Sequence, residues 1–439
     1  MSAEMLDRPA VLDLYRRHVN ASLATICELA GMPLHVASAG AEIYDEKGTA
    51  YLDCGGFGVF LLGHRHPVVL DAVRRQLDEH PLVSRPLLSP ATARAAAALA
   101  GVAPAGLDRV YLTCSGAEAV EVALKIVRLH GRTRVVAMDG GFHGKTFGAL
   151  SVTGRVQYRE PFEPLVPAVE FARFGDVEDL ERRLAHDGSR TCVLAEPVQG
   201  EGGVRVPPPG WLSDVRRLCT EHGALLVLDE IQTGLGRVGR WWASEGEDVV
   251  PDVLLAGKTL SGGVVPSGAV VTSGEVFRPL DDDPMLHSST FAGSPLAAAA
   301  AEATIRVLQA ERLVERSAAL GAELLDAVRT AVDTFCPHLV RDVRGQGLLI
   351  GVEFVSADVA MEFLLALVER RVVPSYSLNR HDVVRLTPPA VLDAAQVAHL
   401  RGALEEAAEA LGRSRLLAPL PRPTSPAPEQ NREVSTCAP

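Results

Sequence analysis

The chain has 439 residues, of which 47% are hydrophobic, so it can bury a large core and should fold into about two or three structural units. A formal net charge of −12 argues against a general nucleic-acid or anionic-membrane surface, and a small anionic substrate would need a specific arginine. Scattered cysteines without a Cys-x-x-Cys pair, an N-terminus without a signal-peptide pattern and the lack of a membrane-length apolar run predict a soluble cytoplasmic protein.

The first part of the chain predicts a small N-terminal unit that ends near residue 70. It contains a short helix and, over 42–53, an alternating pattern around a tight turn that is typical of a β-hairpin. From about residue 105, apolar runs alternate with helical patterns such as 118–129 and 211–222. The runs lie at 109–114, 134–138, 192–195, 224–229 and 253–257. This alternation predicts an α/β fold with a mostly parallel sheet that is covered by helices on both faces.

The first of these runs leads directly into a helix start, and the residues between them are Ser115, Gly116, Ala117 and Glu118. Ser-x-x-Glu before an apolar period is a capping box. A strand that runs into a glycine-containing helix start also exposes free amides at the positive end of the helix dipole, which together bind a phosphate well. From this segment alone, a phosphate site and an ordinary helix cap remain equal alternatives.

A glycine-rich loop at 139–146, with the sequence DGGFHGKT, follows the next strand and superficially resembles a nucleotide-binding P-loop. The spacing does not fit, because the motif requires glycine where Asp139 stands, and 147–151 lacks the pattern of the required helix start. Phe142, beside this loop, is better suited to stacking on a flat heteroaromatic ring, with a place in the core as the alternative.

Two later strands end in chemically active residues. The run 224–229 ends in Asp229, and the run 253–257 is followed at once by Lys258. An acid and a lysine at neighbouring strand ends can hold pyridoxal phosphate, because the aspartate keeps the pyridine nitrogen protonated while the lysine forms an imine with the aldehyde. The sequence therefore predicts this cofactor.

Few other lysines compete for the attachment. Lys47 lies in the predicted hairpin turn, Lys125 lies on a polar helix face, and Lys145 follows the glycine-rich loop. Lys258 ends an apolar segment, where partial desolvation favours the neutral, nucleophilic amine. We therefore expect Lys258 to be the nucleophile, and a structural lysine that covers a strand end is the alternative.

The pattern changes near Pro295. Long helices continue to about residue 335, a strand-like segment follows at 347–354, and a final helix ends before residue 412, which together predict a second α+β unit. The Pro-rich tail has no periodic apolar face and is expected to be disordered. The predicted domains are 1–70, 71–300 and 301–415, with the tail at 416–439.

Three other kinds of site are disfavoured by the sequence. His64 and His66 have no marked third ligand nearby, so we predict no metal site. The segment 345–351 contains Gly-x-Gly, but no helix pattern follows, which disfavours a dinucleotide site. The sequence contains no Gly-x-Ser-x-Gly elbow, which disfavours a serine hydrolase.

Eight segments in order resemble the class III aminotransferases of fold type I, and most closely their putrescine/ornithine branch. The resemblance extends over roughly residues 40–410. The segments are GGFGVFLLGHRHP (55–67), SGAE (115–118), FHGK (142–145), EPVQGEGG (196–203), LDEIQTG (228–234), GK (257–258), STFAGSP (289–295) and RLTPP (385–389). This resemblance implies a large cofactor-binding domain, with a seven-stranded type of sheet, and a small α+β domain formed by the N- and C-terminal parts.

The resemblance also implies roles for individual residues. Lys258 would carry the cofactor, Asp229 would pair with the pyridine nitrogen, and Gln232 would lie near the ring hydroxyl. The phosphate would be bound by Ser115, Gly116 and Ala117, and the ring would stack on Phe142. The family pattern further places His143, Glu196 and Ser289 at the cofactor. The residue that matches Thr290 reaches the cofactor of the neighbouring subunit, which implies a homodimer with shared active sites.

Two further residues are implied to select the substrate. Arg385 matches an arginine that grips a substrate carboxylate, and Glu201 matches a glutamate that pairs with this arginine when the substrate has no carboxylate there. A guanidinium forms a bidentate fork with a carboxylate, and an internal partner avoids an unpaired charge in the other half-reaction. One site would then accept both an amine and a 2-oxo acid, and a purely structural ion pair is the alternative.

The resulting functional hypothesis is pyridoxal-phosphate-dependent transamination. The expected donor is a diamine, an ω-amino acid or a related amine, and the expected acceptor is 2-oxoglutarate or pyruvate. The rival is an enzyme of secondary metabolism that uses the same cofactor for racemisation, decarboxylation or elimination with C–C bond formation. This rival is favoured because residues 259–265 and 292–295, which lie near the cofactor or the substrate entrance in the family, depart from the family pattern. A non-catalytic regulator on the same fold is disfavoured by the intact Lys258 and Asp229.

Overall fold

The structure is a computed structural model, and it describes residues 6–84 and 87–414. The predicted tail at 416–439 lies outside the described residues. The strands are β1 Ala37–Ala39, β2 Glu42–Tyr44, β3 Ala50–Asp53, β4 Arg109–Thr113, β5 Arg134–Met138, β6 Val169–Ala172, β7 Thr191–Ala195, β8 Leu225–Asp229, β9 Val253–Ala256, β10 Gly268–Thr272, β11 Val340–Gln346, β12 Leu349–Phe354, β13 Val372–Val373, β14 Ser375–Ser377 and β15 Arg380–Leu386.

Helices separate most of these strands. They are α1 Arg8–Leu14, α2 Ala21–Leu29, α3 Pro67–Glu79, α4 Pro90–Ala100, α5 Gly116–Leu129, α6 Phe147–Ser151, α7 Val156–Arg159, α8 Val177–Asp187, α9 Trp211–His222, α10 Gly274–Asp282, α11 Pro295–Ala310, α12 Leu313–Phe335, α13 Ala357–Glu369 and α14 Ala394–Gly412. Short 3₁₀ turns lie at Gly56–Gly58, Glu160–Phe162, Gly188–Arg190, Ala243–Glu247, Lys258–Ser261 and Pro337–Leu339, and a π-helical turn at Tyr15–Val19. Within the described residues, no helix is both long enough and apolar enough to span a bilayer.

The central sheet confirms the predicted fold class. Its seven strands follow the order β4-β10-β9-β8-β7-β5-β6, and β10 is antiparallel to both of its neighbours while the strands from β9 to β6 are parallel. All five predicted runs form strands of this sheet, and four of their ten bounds are shifted by one residue while the other six agree. Strands β6 and β10, which complete the sheet, were not predicted.

Helices cover both faces of this sheet, as the alternation predicted. In β5, Val135 and Ala137 pack into a core cluster with residues of α5 such as Ile126, whereas Val136 belongs to a second cluster with Trp211 of α9. Every residue of β7 is buried. A strand that is buried on both faces has a continuous apolar run, which is the pattern that identified these strands.

Helix ends follow local capping rules. Ser294 accepts a hydrogen bond from Ala297 N, and Pro295 occupies the first turn of α11, where its missing N–H is not needed. Asp393 and Gln396 form a reciprocal capping box at the start of α14. These polar signals set the helix starts, while burial of the apolar faces of α11 against α3 and α4 fixes their packing.

The N- and C-terminal segments meet in two smaller sheets. The predicted hairpin is the antiparallel pair β2–β3, and β13 adds parallel to β3, with Val372 opposite Leu52. The second sheet is antiparallel, in the order β11-β12-β15-β14. The predicted boundary after residue 70 falls within α3 and that after residue 300 falls within α11, so the proposed division into domains remains a prediction.

Two glycines in long helices provide a stability test of this packing. A Cβ at Gly321 of α12 would lie 2.2 Å from the backbone of Gly347, whereas a Cβ at Gly402 of α14 would meet no atom within 4 Å. We expect Gly321→Ala to lower the free energy of unfolding by about 2 kcal/mol or more, because backbone cannot move aside. Gly402→Ala should raise it by about 0.5–1 kcal/mol through helix propensity.

Chemical denaturation of both variants measures these changes. A Gly321→Ala variant as stable as the parent would contradict the close approach of α12 to the turn between β11 and β12.

Candidate active site

Most of the predicted site residues line one cavity of about 230 Å³ at the carboxyl edge of the central sheet. Asp229 is the last residue of β8, and Lys258 lies two residues beyond the end of β9. The lining residues are Gly116, Ala117, Phe142, His143, Gly144, Glu196, Glu201, Asp229, Ile231, Gln232 and Lys258. Clefts at the carboxyl edge of a parallel sheet are the usual ligand sites of such folds. Gly144 and Ile231 were not predicted, although each is next to a predicted motif residue.

Lys258 is partly buried and begins a 3₁₀ turn with a left-handed backbone, at a φ of 40°. Burial lowers the pKa of Lys258, and the charges of Glu201 and Asp229 oppose this shift only in part. A lowered pKa increases the fraction of neutral, nucleophilic amine. In contrast, Lys47, Lys125 and Lys145 are exposed, as the sequence analysis expected for the first two.

Asp229 and His143 form a buried pair. Asp229 Oδ2 lies 2.7 Å from His143 Nδ1, and Asp229 Oδ1 accepts a hydrogen bond from Ile231 N at 3.1 Å. Burial by itself lowers the pKa of His143, but the hydrogen bond and charge of Asp229, together with the charge of Glu196, raise it overall. His143 therefore orients the aspartate, while its own Nε2 atom is buried and has no hydrogen-bond partner among the residues that the structure describes.

Glu196 lies against the same pair. Its carboxylate accepts hydrogen bonds from Phe142 N at 2.9 Å and from Gly200 N at 3.1 Å, so it joins the glycine-rich loop to the loop that follows β7. Burial raises the pKa of Glu196 to about 7, with the charge of Asp229 acting in the same direction and that of His143 opposing it. The carboxylate thus holds Phe142 at the cavity wall.

Gln232 is a buried polar side chain that faces the cavity. Its Nε2 and Oε1 atoms are both buried without a hydrogen-bond partner in the described part of the chain. Buried amides are almost always hydrogen-bonded, so two unpaired atoms at a cavity wall indicate a polar ligand there.

The start of α5 also faces the cavity. The exposed Ser115 caps this helix, since its Oγ accepts from Glu118 N at 3.2 Å, and Glu118 Oε2 accepts from Cys114 N at 2.7 Å. Gly116 and Ala117 line the cavity, whereas Ser115 does not. The first amides of a helix have no partner within it, so this end can bind an anion. A Cβ at Gly116 would lie 2.7 Å from Ile231 Cδ1, so a larger residue here would displace the Ile231 side chain.

The predicted pair of Glu201 and Arg385 is formed. Arg385 Nη1 lies 2.8 Å from Glu201 Oε1, and the two side chains are 1% and 7% exposed. Glu201 Oε2 also accepts a hydrogen bond from Leu378 N at 2.8 Å. Glu201 lines the cavity, and Arg385 on β15 lies behind it at the border with a neighbouring cavity.

Two predicted residues lie outside the cavity of this single chain. Ser289 is partly buried and Thr290 is exposed, and both belong to the segment that precedes α11.

One local prediction was wrong. Residues 147–151, which lack a helix-start pattern in the sequence, form the short helix α6, stabilised by hydrogen bonds from Gly148 N and Ala149 N to Glu121 Oε1. The cap comes from a distant helix and not from the loop itself, so local sequence could not show it. Asp139, which stands where a P-loop requires glycine, is therefore the remaining departure from that motif.

His64, considered above as a metal ligand, is in hydrogen-bonding contact with Asp53. The two side chains are buried, with His64 Nε2 at 2.8 Å from Asp53 Oδ2. No cluster of three or more metal-ligating side chains occurs among the residues that the structure describes.

The chain is similar to several known proteins. A family model described as class-III aminotransferase matches residues 31–408. An ornithine aminotransferase from Toxoplasma gondii is 32% identical over 93% of this chain and 96% of its own, with a TM-score of 0.86. An (S)-enantioselective omega-transaminase from Thermomicrobium roseum is 28% identical over 93% of this chain and 100% of its own, with a TM-score of 0.85. A transaminase from the marine bacterium Virgibacillus is 27% identical over 92% and 99%, with a TM-score of 0.85.

The buried ion pair allows a second stability test. Glu201→Ala should lower the free energy of unfolding by about 3–5 kcal/mol, because it leaves the Arg385 cation buried without its partner. Glu201→Leu combined with Arg385→Leu should recover most of that loss. The control is Glu323→Ala, which removes an exposed pair with Arg401 and should change stability by less than about 1 kcal/mol. Urea denaturation distinguishes these values, and equal losses for Glu201→Ala and Glu323→Ala would show that burial does not matter here.

Proposed function

The chain belongs to the class III aminotransferase family, whose members use pyridoxal phosphate, and we propose that it transfers the amino group of a diamine, an ω-amino acid or a related amine to 2-oxoglutarate or pyruvate. The family membership makes it an aminotransferase of small amines and 2-oxo acids. The observation that carries the assignment of the site is that Lys258 and Asp229 line the same cavity.

The residues present fit the cofactor. The cavity combines a desolvated lysine, a buried carboxylate, a helix N-terminus and a glutamine with two unpaired amide atoms. These are the groups that an aldehyde, a ring nitrogen, a phosphate and a ring hydroxyl require. Pyridoxal phosphate supplies the carbonyl that takes up the amino group and the ring that stabilises negative charge at Cα after a proton is removed.

Lys258 is proposed as the residue that attaches the cofactor and moves the proton. Its lowered pKa favours a neutral Nζ, which is the form that attacks an aldehyde and the form that can accept a proton from Cα. The left-handed backbone at this position, which is uncommon for a residue with a side chain, is typical of active sites that hold a group in a required direction.

Asp229 is proposed to keep the ring nitrogen protonated. Each of its oxygens has one partner, His143 Nδ1 or Ile231 N, and retains further capacity to accept a proton donor. His143 donates to this carboxylate and so keeps it oriented. The raised pKa of Glu196 limits the number of negative charges that lie close to Asp229 at neutral pH.

Most of the other residues that line the cavity, together with Ser115, are assigned to the remaining parts of the cofactor. We assign Gly116 and Ala117, with Ser115 as helix cap, to the phosphate, and Phe142 to the ring face. Gln232 is assigned to the ring hydroxyl because its amide atoms lack other partners. Glu196 is assigned to the support of Phe142, since it accepts the hydrogen bond from Phe142 N.

Glu201 and Arg385 are proposed to accommodate the two substrates in turn. When the substrate has no carboxylate, the buried pair keeps the guanidinium neutralised, as it does in this structure. A 2-oxo acid would place its carboxylate on Arg385, and Glu201 would keep its hydrogen bond from Leu378 N. This arrangement supports one site for both half-reactions.

The function is tested by incubating the purified enzyme, loaded with cofactor, with an amine and 2-oxoglutarate or pyruvate. We expect glutamate or alanine to form. Lys258→Ala should abolish both the product and the visible imine absorbance, whereas Lys47→Ala, in the exposed hairpin turn, should change neither. Consumption of the amine without amino transfer would support the rival reaction classes, and an unchanged spectrum in Lys258→Ala would point to a different attachment.

We further propose a homodimer in which Ser289 and Thr290 act at the partner's site. Thr290 is exposed and lies outside the cavity of its own chain, which supports this role. In the proposed dimer, each site takes Lys258 from one chain and Thr290 from the other, so Lys258→Ala and Thr290→Ala remove contributions of different chains to the same site. Mixing the two variants after partial denaturation and refolding should therefore restore activity, because one site in each mixed dimer contains both native residues. Mixtures no more active than their components would contradict shared sites.

A cytoplasmic location is also proposed. The cysteines of the described segments are free thiols, and Cys54, Cys192, Cys219 and Cys336 are buried in the core. Free thiols are typical of a reducing compartment.

A further inference from the structure

The turn between β14 and β15, which consists of Leu378 and Asn379, is hydrogen-bonded to Glu201 in two places. Leu378 N donates to Glu201 Oε2 at 2.8 Å, and Asn379 N donates to the main-chain oxygen of Glu201 at 3.0 Å. Arg385, which is paired with the same carboxylate, lies farther along β15. The tip of this hairpin therefore decides where the Glu201 carboxylate can lie when it leaves Arg385.

Two side chains fix this tip against the rest of the chain. Tyr158 Oη donates a hydrogen bond to Leu378 O at 2.7 Å. The buried Asn379 donates from Nδ2 to Gly140 O at 2.8 Å, at the start of the glycine-rich loop. The hydroxyl of Tyr158 and the carboxylate of Glu201 thus bind to the C=O and the N–H of one residue, Leu378.

The hydroxyl of Tyr158 can be removed without removing the ring contacts. Burial raises the pKa of this hydroxyl, the charge of Arg155 opposes the shift, and that of Glu201 adds to it, so the group stays protonated and donates. Lys145 Nζ lies 4.3 Å from the centroid of the ring, and Arg155 Cζ lies 5.5 Å from it. Because a cation also binds the face of phenylalanine, Tyr158→Phe retains these contacts.

The hydrogen bond from Leu378 N contributes most when a substrate carboxylate occupies Arg385. In this structure Arg385 neutralises Glu201, whose side chain is only 7% exposed. Once a 2-oxo acid takes the guanidinium, Leu378 N is the remaining hydrogen-bond donor to the Glu201 carboxylate among the contacts of the described residues. A buried charge that has lost its counter-ion gains more from a charge-assisted hydrogen bond than a neutralised charge does.

We propose that Tyr158 is a positioning residue for the acceptor substrate. Through Leu378, it fixes the place that Glu201 occupies while Arg385 holds the carboxylate of a 2-oxo acid. The proposal rests on the transamination and the exchange of partners proposed above. A donor without a carboxylate leaves the pair of Glu201 and Arg385 intact, so its reaction should not depend on the Tyr158 hydroxyl.

Titration calorimetry of the cofactor-loaded enzyme with glutarate tests this role without a reaction. Glutarate has the two carboxylates of 2-oxoglutarate but no carbonyl that could react. Tyr158→Phe should raise the Kd of glutarate at least about threefold, because the displaced Glu201 is held less well. The matched control is Tyr44→Phe, which removes a hydrogen bond of 2.8 Å from Tyr44 Oη to Glu42 Oε2 and should leave this Kd unchanged.

A double variant tests whether Tyr158 acts through Glu201. Glu201→Gln removes the charge but keeps an oxygen that Leu378 N can reach. In this background, Tyr158→Phe should change the Kd of glutarate less than about 1.5-fold, because no buried charge then depends on Leu378. An effect of Tyr158→Phe that is equally large with Glu201 and with Gln at position 201 would show a general structural role and overturn the inference.

The two half-reactions provide a second readout, which a general structural role would not divide. Enzyme loaded with pyridoxamine phosphate is mixed with 2-oxoglutarate, enzyme loaded with pyridoxal phosphate is mixed with 1,4-diaminobutane, and the visible imine absorbance is followed. Tyr158→Phe should lower the second-order rate constant for 2-oxoglutarate at least about threefold and leave that for 1,4-diaminobutane unchanged.

The outcomes distinguish this inference from the proposed function. An unchanged Kd for glutarate in Tyr158→Phe, or equal losses in both half-reactions, overturns the inference while transamination stands. A parent enzyme that binds glutarate no better than Arg385→Leu also overturns it, because Arg385 would then hold no carboxylate. If neither 2-oxoglutarate nor pyruvate reacts with enzyme loaded with pyridoxamine phosphate, the proposed function fails, whatever the affinity for glutarate.

Discussion

The structure depends on the parallel register of β8 and β9, which brings Asp229 and Lys258 to the same edge of the sheet. Asp229 pairs with Leu255, and Glu230 N donates to Leu255 O at 3.1 Å. The next residue, the buried Glu230, fixes the segment after β8, because its carboxylate accepts hydrogen bonds from Ala243 N at 2.7 Å and from Ser244 N at 2.9 Å. The strand pairing and this turn together leave little freedom in the direction of the Asp229 side chain.

Burial of ionisable groups is the second constraint on the site. Asp229 is paired with His143, and Arg385 is paired with Glu201. Each of these charges would be costly to bury alone, and each pair leaves hydrogen-bonding capacity toward a cavity. Desolvation simultaneously lowers the pKa of Lys258. Burial thus requires partners for the charged groups and favours the neutral form of Lys258.

A second cavity, of about 400 Å³, lies beside the pair of Glu201 and Arg385. Its walls come from β2, from the segment before it and from α13, which the pairing of β3 with β13 brings together. Among the described residues, no strand of the central sheet contributes to its wall. Changes in these peripheral segments can therefore alter the shape of this cavity while the pair of Asp229 and Lys258 stays in place.

The class of fold, five strands of the central sheet and the position of Asp229 and Lys258 at neighbouring strand ends could all be predicted from the sequence. Continuous apolar runs that end in Asp229 and Lys258 are local signals, because a strand buried on both faces leaves that pattern. The short edge strand β6, the antiparallel β10 and the helix α6 have weak local signals, and their formation depends on partners distant in sequence.

The surroundings of these residues depend on the tertiary structure. It showed that Asp229 pairs with His143, that Glu196 supports Phe142, and that the Gln232 amide has no hydrogen-bond partner among residues 6–84 and 87–414. It also showed that an apolar cavity adjoins the pair of Glu201 and Arg385. These properties depend on distances between segments far apart in the chain, and no periodicity or spacing along the sequence records such distances.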